Sequence, residues 1–232
     1  MIGFDDVKRR PEITSAVDDR LIHIDTTGEN FYTNVLEYRT CDEKINKFIQ
    51  TIKLVKVSGV YCFWVPKYAP SWNGKQVIFE AGRSPANDAS FNTWKKRATN
   101  MPAEDGRKWI IGSEFQYYVF MVWLINTLVS NGWELKKALE SVVLDSKELG
   151  HYYEHDKKQQ LEQTGSREIY GIYDLANTFR YLTRTYDAKY GGCWHAGGSY
   201  YNLSDCCPLA DIRHDLDVDF GYNGGVAWLI LI

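Results

Sequence analysis

GIYDLANTFRYLTRTYD, residues 171–187, leads into YGGCW (190–194), SYYNLSDCCPLADIRHD (199–215) and DFGY (219–222). These residues lack the 3–4 spacing of an amphipathic helix and read as short β-type segments running towards the end of the sequence. The middle stretch combines adjacent cysteines, paired tyrosines, a proline and scattered acids. Its oddest property is what it omits. After Lys189 the sequence contains no Lys, Glu, Gln or Met, although those four types make up about one residue in five before it. Chance absence over that length is on the order of 1 in 10⁴ against ordinary usage.

A ligand surface that avoids basic residues would remove Lys, but not Glu, Gln and Met as well. A codon-level cause fits all four, because no codon ending in a pyrimidine encodes Lys, Glu, Gln, Met or Trp. Asn codons end in a pyrimidine. Randomising their first two bases gives Cys, His, Tyr, Ser, Asp, Leu, Pro, Ala and Arg, the types that fill this tract. Trp194 and Trp228 then stand as unscrambled positions.

Working outward, the preceding residues 145–168 are polar and predict a long surface loop. ELKKALESVVL (134–144) predicts a helix. EFQYYVFMVWLINTLVSNG predicts a longer one, with Ser113 as N-cap and Asn131-Gly132 as the stop. Its apolar run has the length of a membrane candidate, but Gln116, Asn126, Thr127, Ser130 and Asn131 interrupt it, so a buried core helix is expected. ASFNTWKKRATN (89–100) predicts a helix with Phe91, Trp94 and Ala98 on one side, broken by MPAEDG. Residues 69–89 form a loop rich in Gly, Pro, Ser and Asn. VYCFWVPKYA (60–69) reads as a buried strand stopped by Pro66. RLIHID (20–25), NVLEYRT (34–40) and TIKLVKV (51–57) read as strands, the last as an edge strand. Residues 1–56 are therefore expected to be a β-rich extension that precedes or packs on a main domain of 57–232.

The 232 residues suffice for a full core, and 15% aromatics, with 8 Trp and 16 Tyr, supply it. A net charge of -3 gives no electrostatic footprint for nucleic acid, so no such partner is expected. Met1–Arg10 is too polar for a signal peptide. Cys41, Cys62, Cys193, Cys206 and Cys207 are odd in number and lack paired spacing, which argues against a disulfide framework.

Three patterns invite chemistry. HYYEH (151–155) matches H-x-x-E-H, in which two histidines share a helix face and could bind zinc. It stands in a polar stretch with no downstream carboxylate of the right kind, so a solvated loop is the simpler reading. IRHDLDVDF (212–220) alternates, placing Arg213, Asp215, Asp217 and Asp219 on one side of a strand. Calcium would relieve their mutual repulsion, but the glycine and Glu of a calcium loop are missing, and a solvated face explains the pattern equally. Cys206-Cys207 lacks C-x-x-C context, and neighbouring cysteines bridge rarely.

GIYDLANTFRYLTRTYD, YGGCW and DFGY together resemble the formylglycine-generating-enzyme-like proteins with a C-type lectin fold, whose pattern runs GLYDMxGNVWEW, RGGSW, an Asn-rich tract and NIGFR. RKWIIGSEFQYYVFMVWLINT resembles the family's HLPTEAEW segment and second helix. The resemblance covers about residues 57–232. It implies an α+β C-type lectin fold of short antiparallel sheets with two main helices. Ala176–Arg180 and Tyr222-Asn-Gly-Gly depart from the pattern. The spaced cysteine pair of the copper-dependent oxidases and the spaced His pair of the iron-dependent relatives are missing, so the resemblance implies the fold without the enzyme.

Within this group, diversity-generating retroelements mutate the C-terminal tract through adenines in Asn codons. The resemblance thus implies a variable protein, diversified over about residues 191–222. Gly191, Gly192, Trp194, Phe220 and Trp228 would form the scaffold. Cys193, His195, Ser199, Tyr200, Tyr201, Asn202, Asp205, Asp211, Arg213, Asp215, Asp217 and Asp219 would form the ligand surface. The function implied is binding of a host-surface or cell-surface protein or glycan, as on a viral tail fibre, with no catalysis, resident metal or membrane insertion. A formylglycine-generating-like enzyme and a calcium-dependent sugar lectin are the alternatives.

Overall fold

The computed structural model describes residues 20–83, 86, 89–103, 105–149, 168–173, 180–187, 192–196, 209, 210, 212–214 and 225–232. For 147, 180–187, 192–196, 212–214, 225 and 226 the backbone alone is described.

The first elements are strand β1 (Leu21–Asp25), the short helix α1 (Thr33–Glu37), helix α2 (Glu43–Ser58) and strand β2 (Cys62–Pro66). Two expectations are overturned here. The NVLE of NVLEYRT lies in α1 and TIKLVKV lies in the last two turns of α2, so within 20–56 only β1 is a strand and the segment is not β-rich. Ile52, Leu54 and Val57 suggest a strand when taken alone. The longer spacing decides against it: Ile45, Phe48, Ile49, Ile52 and Val55 recur every three or four residues and are all buried, whereas Leu54 and Val57 are 61% and 80% exposed. Asp42 caps this helix, its carboxylate accepting the Ile45 N–H at 2.9 Å.

A hairpin of two-residue strands follows, β3 (Ser71–Trp72) with β4 (Val77–Ile78), then helix α3 (Phe91–Thr99) and strand β5 (Trp109–Ile111). Helices α4 (Glu114–Ser130) and α5 (Leu135–Val143) come next, and a single 3-10 turn covers Ser146–Leu149. The α4 start is a full capping box: the Ser113 hydroxyl accepts the Gln116 N–H, and the Gln116 side chain accepts the Ser113 N–H at 2.9 Å. Among the described residues, no helix is long and apolar enough to cross a membrane. Asn126, one of the polar interruptions, donates to the Phe31 carbonyl at 2.7 Å and accepts from Asn34, fastening α4 to α1.

The last elements are β6 (Glu168–Ile169), β7 (Ile172–Tyr173), β8 (Arg180–Asp187), β9 (Gly192–Ala196), β10 (Ile212–His214), β11 (Gly225–Ala227) and β12 (Leu229–Leu231). The fold is mixed α+β, with short, mainly antiparallel sheets and five α-helices among the described residues. One pair, β8 with β11, is parallel.

The first four-stranded sheet has the order β1-β2-β12-β5, so the late strand β12 lies between two strands from the first half of the chain. Leu231 pairs with Trp64 on one side and Trp109 on the other. Both faces of this sheet are covered. Phe63, Val65 and Ile230 join the larger core with α2, α4 and α5, while Trp64, Leu229 and Leu231 join a second core with Trp94 of α3 and the β3–β4 hairpin. Successive residues of a strand point to opposite faces. A strand buried on both faces therefore has no polar side, which is why VAWLILI is apolar throughout.

Candidate functional site

The second four-stranded sheet, in the order β10-β9-β8-β11, carries the sequence-predicted ligand surface as far as it is described. On β9, Cys193 stands opposite Tyr186 of β8 and His195 opposite Leu182. On β10, Arg213 stands opposite His195 and His214 opposite Trp194. The backbone thus brings Cys193, Trp194, His195 and Arg213 onto two adjacent strands, although 18 positions separate His195 from Arg213 in the sequence. The β8–β9 register shifts between Leu182 and Tyr186, so this pairing is irregular. The strand expected over 212–220 is described for Ile212–His214.

Gly191, Ser199, Tyr200, Tyr201, Asn202, Asp205, Asp211, Asp215, Asp217, Asp219 and Phe220 lie outside the described residues, as do HYYEH and Cys206-Cys207. Among the described residues, no group of three or more His, Cys, Asp or Glu side chains is placed to hold a metal ion. Cys41 and Cys62 are exposed, and Cys62 Sγ lies 3.3 Å from His23 Nε2 on the neighbouring strand.

Two points tie this sheet and its tract to the core. The first is Trp228, between β11 and β12. It is 4% exposed, packed edge-on against Phe63 and Tyr117 with ring centroids 6.0 and 5.2 Å away. Gly112 permits this placement. Its N–H donates to the Trp228 carbonyl at 2.7 Å, and a Cβ on it would overlap the indole ring. The cavity beside Trp228, lined also by Val65, Tyr117 and Phe120, holds about 30 Å³, space for a single water rather than a ligand.

The second is Leu209, inside the tract read as diversified. Leu209 is 1% exposed. Its N–H donates to the Ser146 hydroxyl at 2.8 Å, and its carbonyl accepts from the Tyr117 hydroxyl at 3.2 Å, both in buried surroundings. The next N–H, of Ala210, donates to the Val142 carbonyl at 3.0 Å. Sequence reasoning did not single out Leu209, Ser146 or Tyr117. A hydroxyl inside an otherwise apolar helix, as Tyr117 presents, was the available signal, because a buried hydroxyl needs a partner.

The start of GIYDLAN is also positioned by local chemistry. Tyr170 and Gly171 have φ of 49° and 84°, the left-handed pair of a two-residue hairpin turn joining β6 to β7. Gly171 N–H donates to Glu168 Oε1 at 3.0 Å, and Tyr173 N–H donates to the Lys67 carbonyl at 2.8 Å, just beyond β2. Tyr173 stacks on Tyr68 at 4.5 Å, and the hydrogen bond between these two tyrosines is the main reason its phenol is pushed up to about 12.

No protein-family model, curated protein or solved structure matches this chain.

Proposed function

We propose that the chain is a ligand-binding protein of the C-type lectin, formylglycine-generating-enzyme-like kind, whose C-terminal surface is diversified by a retroelement. Its partner is a protein or glycan on a host or cell surface, met from a virion tail fibre or a comparable surface display. The binding surface runs through Cys193, His195, Ser199, Tyr200, Tyr201, Asn202, Asp205, Asp211, Arg213, Asp215, Asp217 and Asp219, and no catalytic group is required.

The observation that carries this reading is the loss of Lys, Glu, Gln and Met after Lys189. The fold sharpens it. Ala227–Leu231 are buried between two cores, so apolar packing alone removes Lys, Glu and Gln from those positions. That reason reaches only those positions and buried Leu209, and the codon-level cause is what accounts for the rest of the tract. The late strand β12 closing the first sheet between early strands supports the lectin-type architecture, because it leaves the tract as an excursion from an already closed frame. Tyrosine-rich surfaces bind well because the ring buries a large area at little entropic cost.

Sequencing the locus and its counterparts in sister strains tests the reading. A reverse-transcriptase gene beside a near-copy of the 3′ coding end, with strain differences confined to pyrimidine-ending codons of the tract, is the expected result. Identical codons for Cys193, His195 and Tyr200 in every strain would sink it.

A further inference from the structure

KLVKVSGV (53–60) closes α2 and carries three large aliphatics on the outside. Leu54, Val57 and Val60 are 61%, 80% and 69% exposed, while Ile52 and Val55 beside them are fully buried. Leu54 and Val57 stand one turn apart on the face opposite the core, and Val60 follows where the chain leaves the helix. The backbone here is held in place. The Ser58 hydroxyl donates to the Val55 carbonyl at 2.7 Å and accepts from the Tyr61 hydroxyl. The Tyr61 N–H donates to Thr26 Oγ1 at 2.9 Å, and Gly59 takes a φ of 149° that favours glycine.

The charge around this tip is of one sign. From Lys44 to Val60 the sequence has four lysines, at 44, 47, 53 and 56, and no acid, although the whole chain carries -3. All four lysines are exposed, and no ion pair among the described residues uses them. A helix end favours a cation in its last turn, which accounts for Lys56. It gives no reason for three bare aliphatics beside it. Single exposed apolar residues are ordinary, whereas a cluster rimmed by polar groups marks a contact surface.

We propose that this tip rests on an anionic lipid surface. Leu54, Val57 and Val60 enter the boundary between headgroups and acyl chains, and Lys53 and Lys56 take the headgroup phosphates and carboxylates. The contact lies on the membrane and does not cross it, because α2 has 16 residues and buries its other face in the core. Two features select this occupant. Exposure this high belongs to a protruding tip, which a fluid layer moulds around, whereas a docked peptide helix needs a groove. A second copy meeting the tip about a two-fold axis would set Lys53 and Lys56 against their own counterparts, and like charges so placed repel. None of these residues belongs to the tract from 190 to 226, so the contact is separate from the surface proposed to be diversified.

The test is co-sedimentation of the full chain with vesicles of phosphatidylcholine alone and of phosphatidylcholine with about a third phosphatidylserine. Binding to the anionic vesicles is expected to be about tenfold or more the stronger, and added salt should weaken it by screening the lysines. Leu54→Ser, Val57→Ser and Val60→Ser combined should lower the partition coefficient about tenfold or more, and Lys53→Gln with Lys56→Gln should do the same. All five side chains are exposed, so both variants should keep the wild-type melting temperature. The proposal is overturned if anionic vesicles bind no better than neutral ones, or if either variant binds as the wild type does. It is overturned too if sedimentation equilibrium shows a dimer that the three serine substitutions dissolve, because a second copy then covers the tip.

Discussion

The body built from residues 20–149 and the tract from 190 to 226 obey different rules. In the body, residue identity follows position. Ile45, Phe48, Ile49, Ile52 and Val55 are buried where lysines at 44, 47, 53 and 56 are not, and a helix results. In the tract, identity follows a restricted set of residue types with no matching period. Under the proposed function, the contrast means that a fold tolerates chemically arbitrary sequence if the segment carrying it is fastened at a few fixed points. Trp194 and Gly192 on β9, Leu209 and Trp228 are the places to look for that fastening.

The largest expected effect is at the junction of the two regions. Trp228→Ala should cost about 3–5 kcal/mol, because it removes an indole packed among Phe63, Tyr117 and Phe120. Urea denaturation measures it, and a loss under about 1 kcal/mol would show that Trp228 does not secure the frame. Leu209→Ala comes next, at about 2–4 kcal/mol. Leucine is among the types that the tract draws on, so a negligible cost here would erase the distinction between fastened and free positions.

Alkaline pH probes the body through Tyr32. Burial pushes the Tyr32 phenol from 10 up to about 12, since desolvation disfavours the phenolate. The neutral form is thus favoured by folding. This contribution is fully present below pH 10 and is lost as pH rises from 10 through 12, on the order of 2 kcal/mol in all. Tyr32→Phe should flatten that part of the stability curve; an unchanged curve refutes the assignment. Ser146→Ala should cost about 1–3 kcal/mol by leaving the buried Leu209 N–H without its acceptor. Smallest of all, alanine at His195, Tyr200, Asn202 or Asp205 should shift stability by no more than about 0.5 kcal/mol while altering binding. A cost of several kcal/mol at these positions would place them among the structural residues instead.

How much of this was legible depended on how local the cause was. The cap at Ser113, the stop at Asn131-Gly132 and the Trp94/Ala98 face of α3 each follow from residues within one or two turns, and the structure has them where the pattern puts them. Helix α2 was hidden because β-branched residues in TIKLVKV imitate a strand over seven positions, and the spacing that corrects this begins at Ile45, outside that window. The insertion of β12 between β2 and β5 is a pairing across most of the chain, and nothing in VAWLILI names its neighbours. Leu209 was hidden differently. Its restraints are backbone hydrogen bonds to Ser146 and Tyr117, groups 63 and 92 positions away, so its own side chain gives no sign of them.

The place of β12 has a consequence for how variants would be proofread. Strand β12 is translated only after the tract, yet the sheet at the heart of the molecule is incomplete until it arrives. Any reading-frame slip or stop codon acquired between β9 and β11 removes that strand and with it the shared core. Such products would be left with β5 and one edge of β2 without a partner strand, which is the state that quality-control proteases degrade. Folding would then act as a filter for translation through the whole tract, passing chains whose tract is intact, whatever it spells.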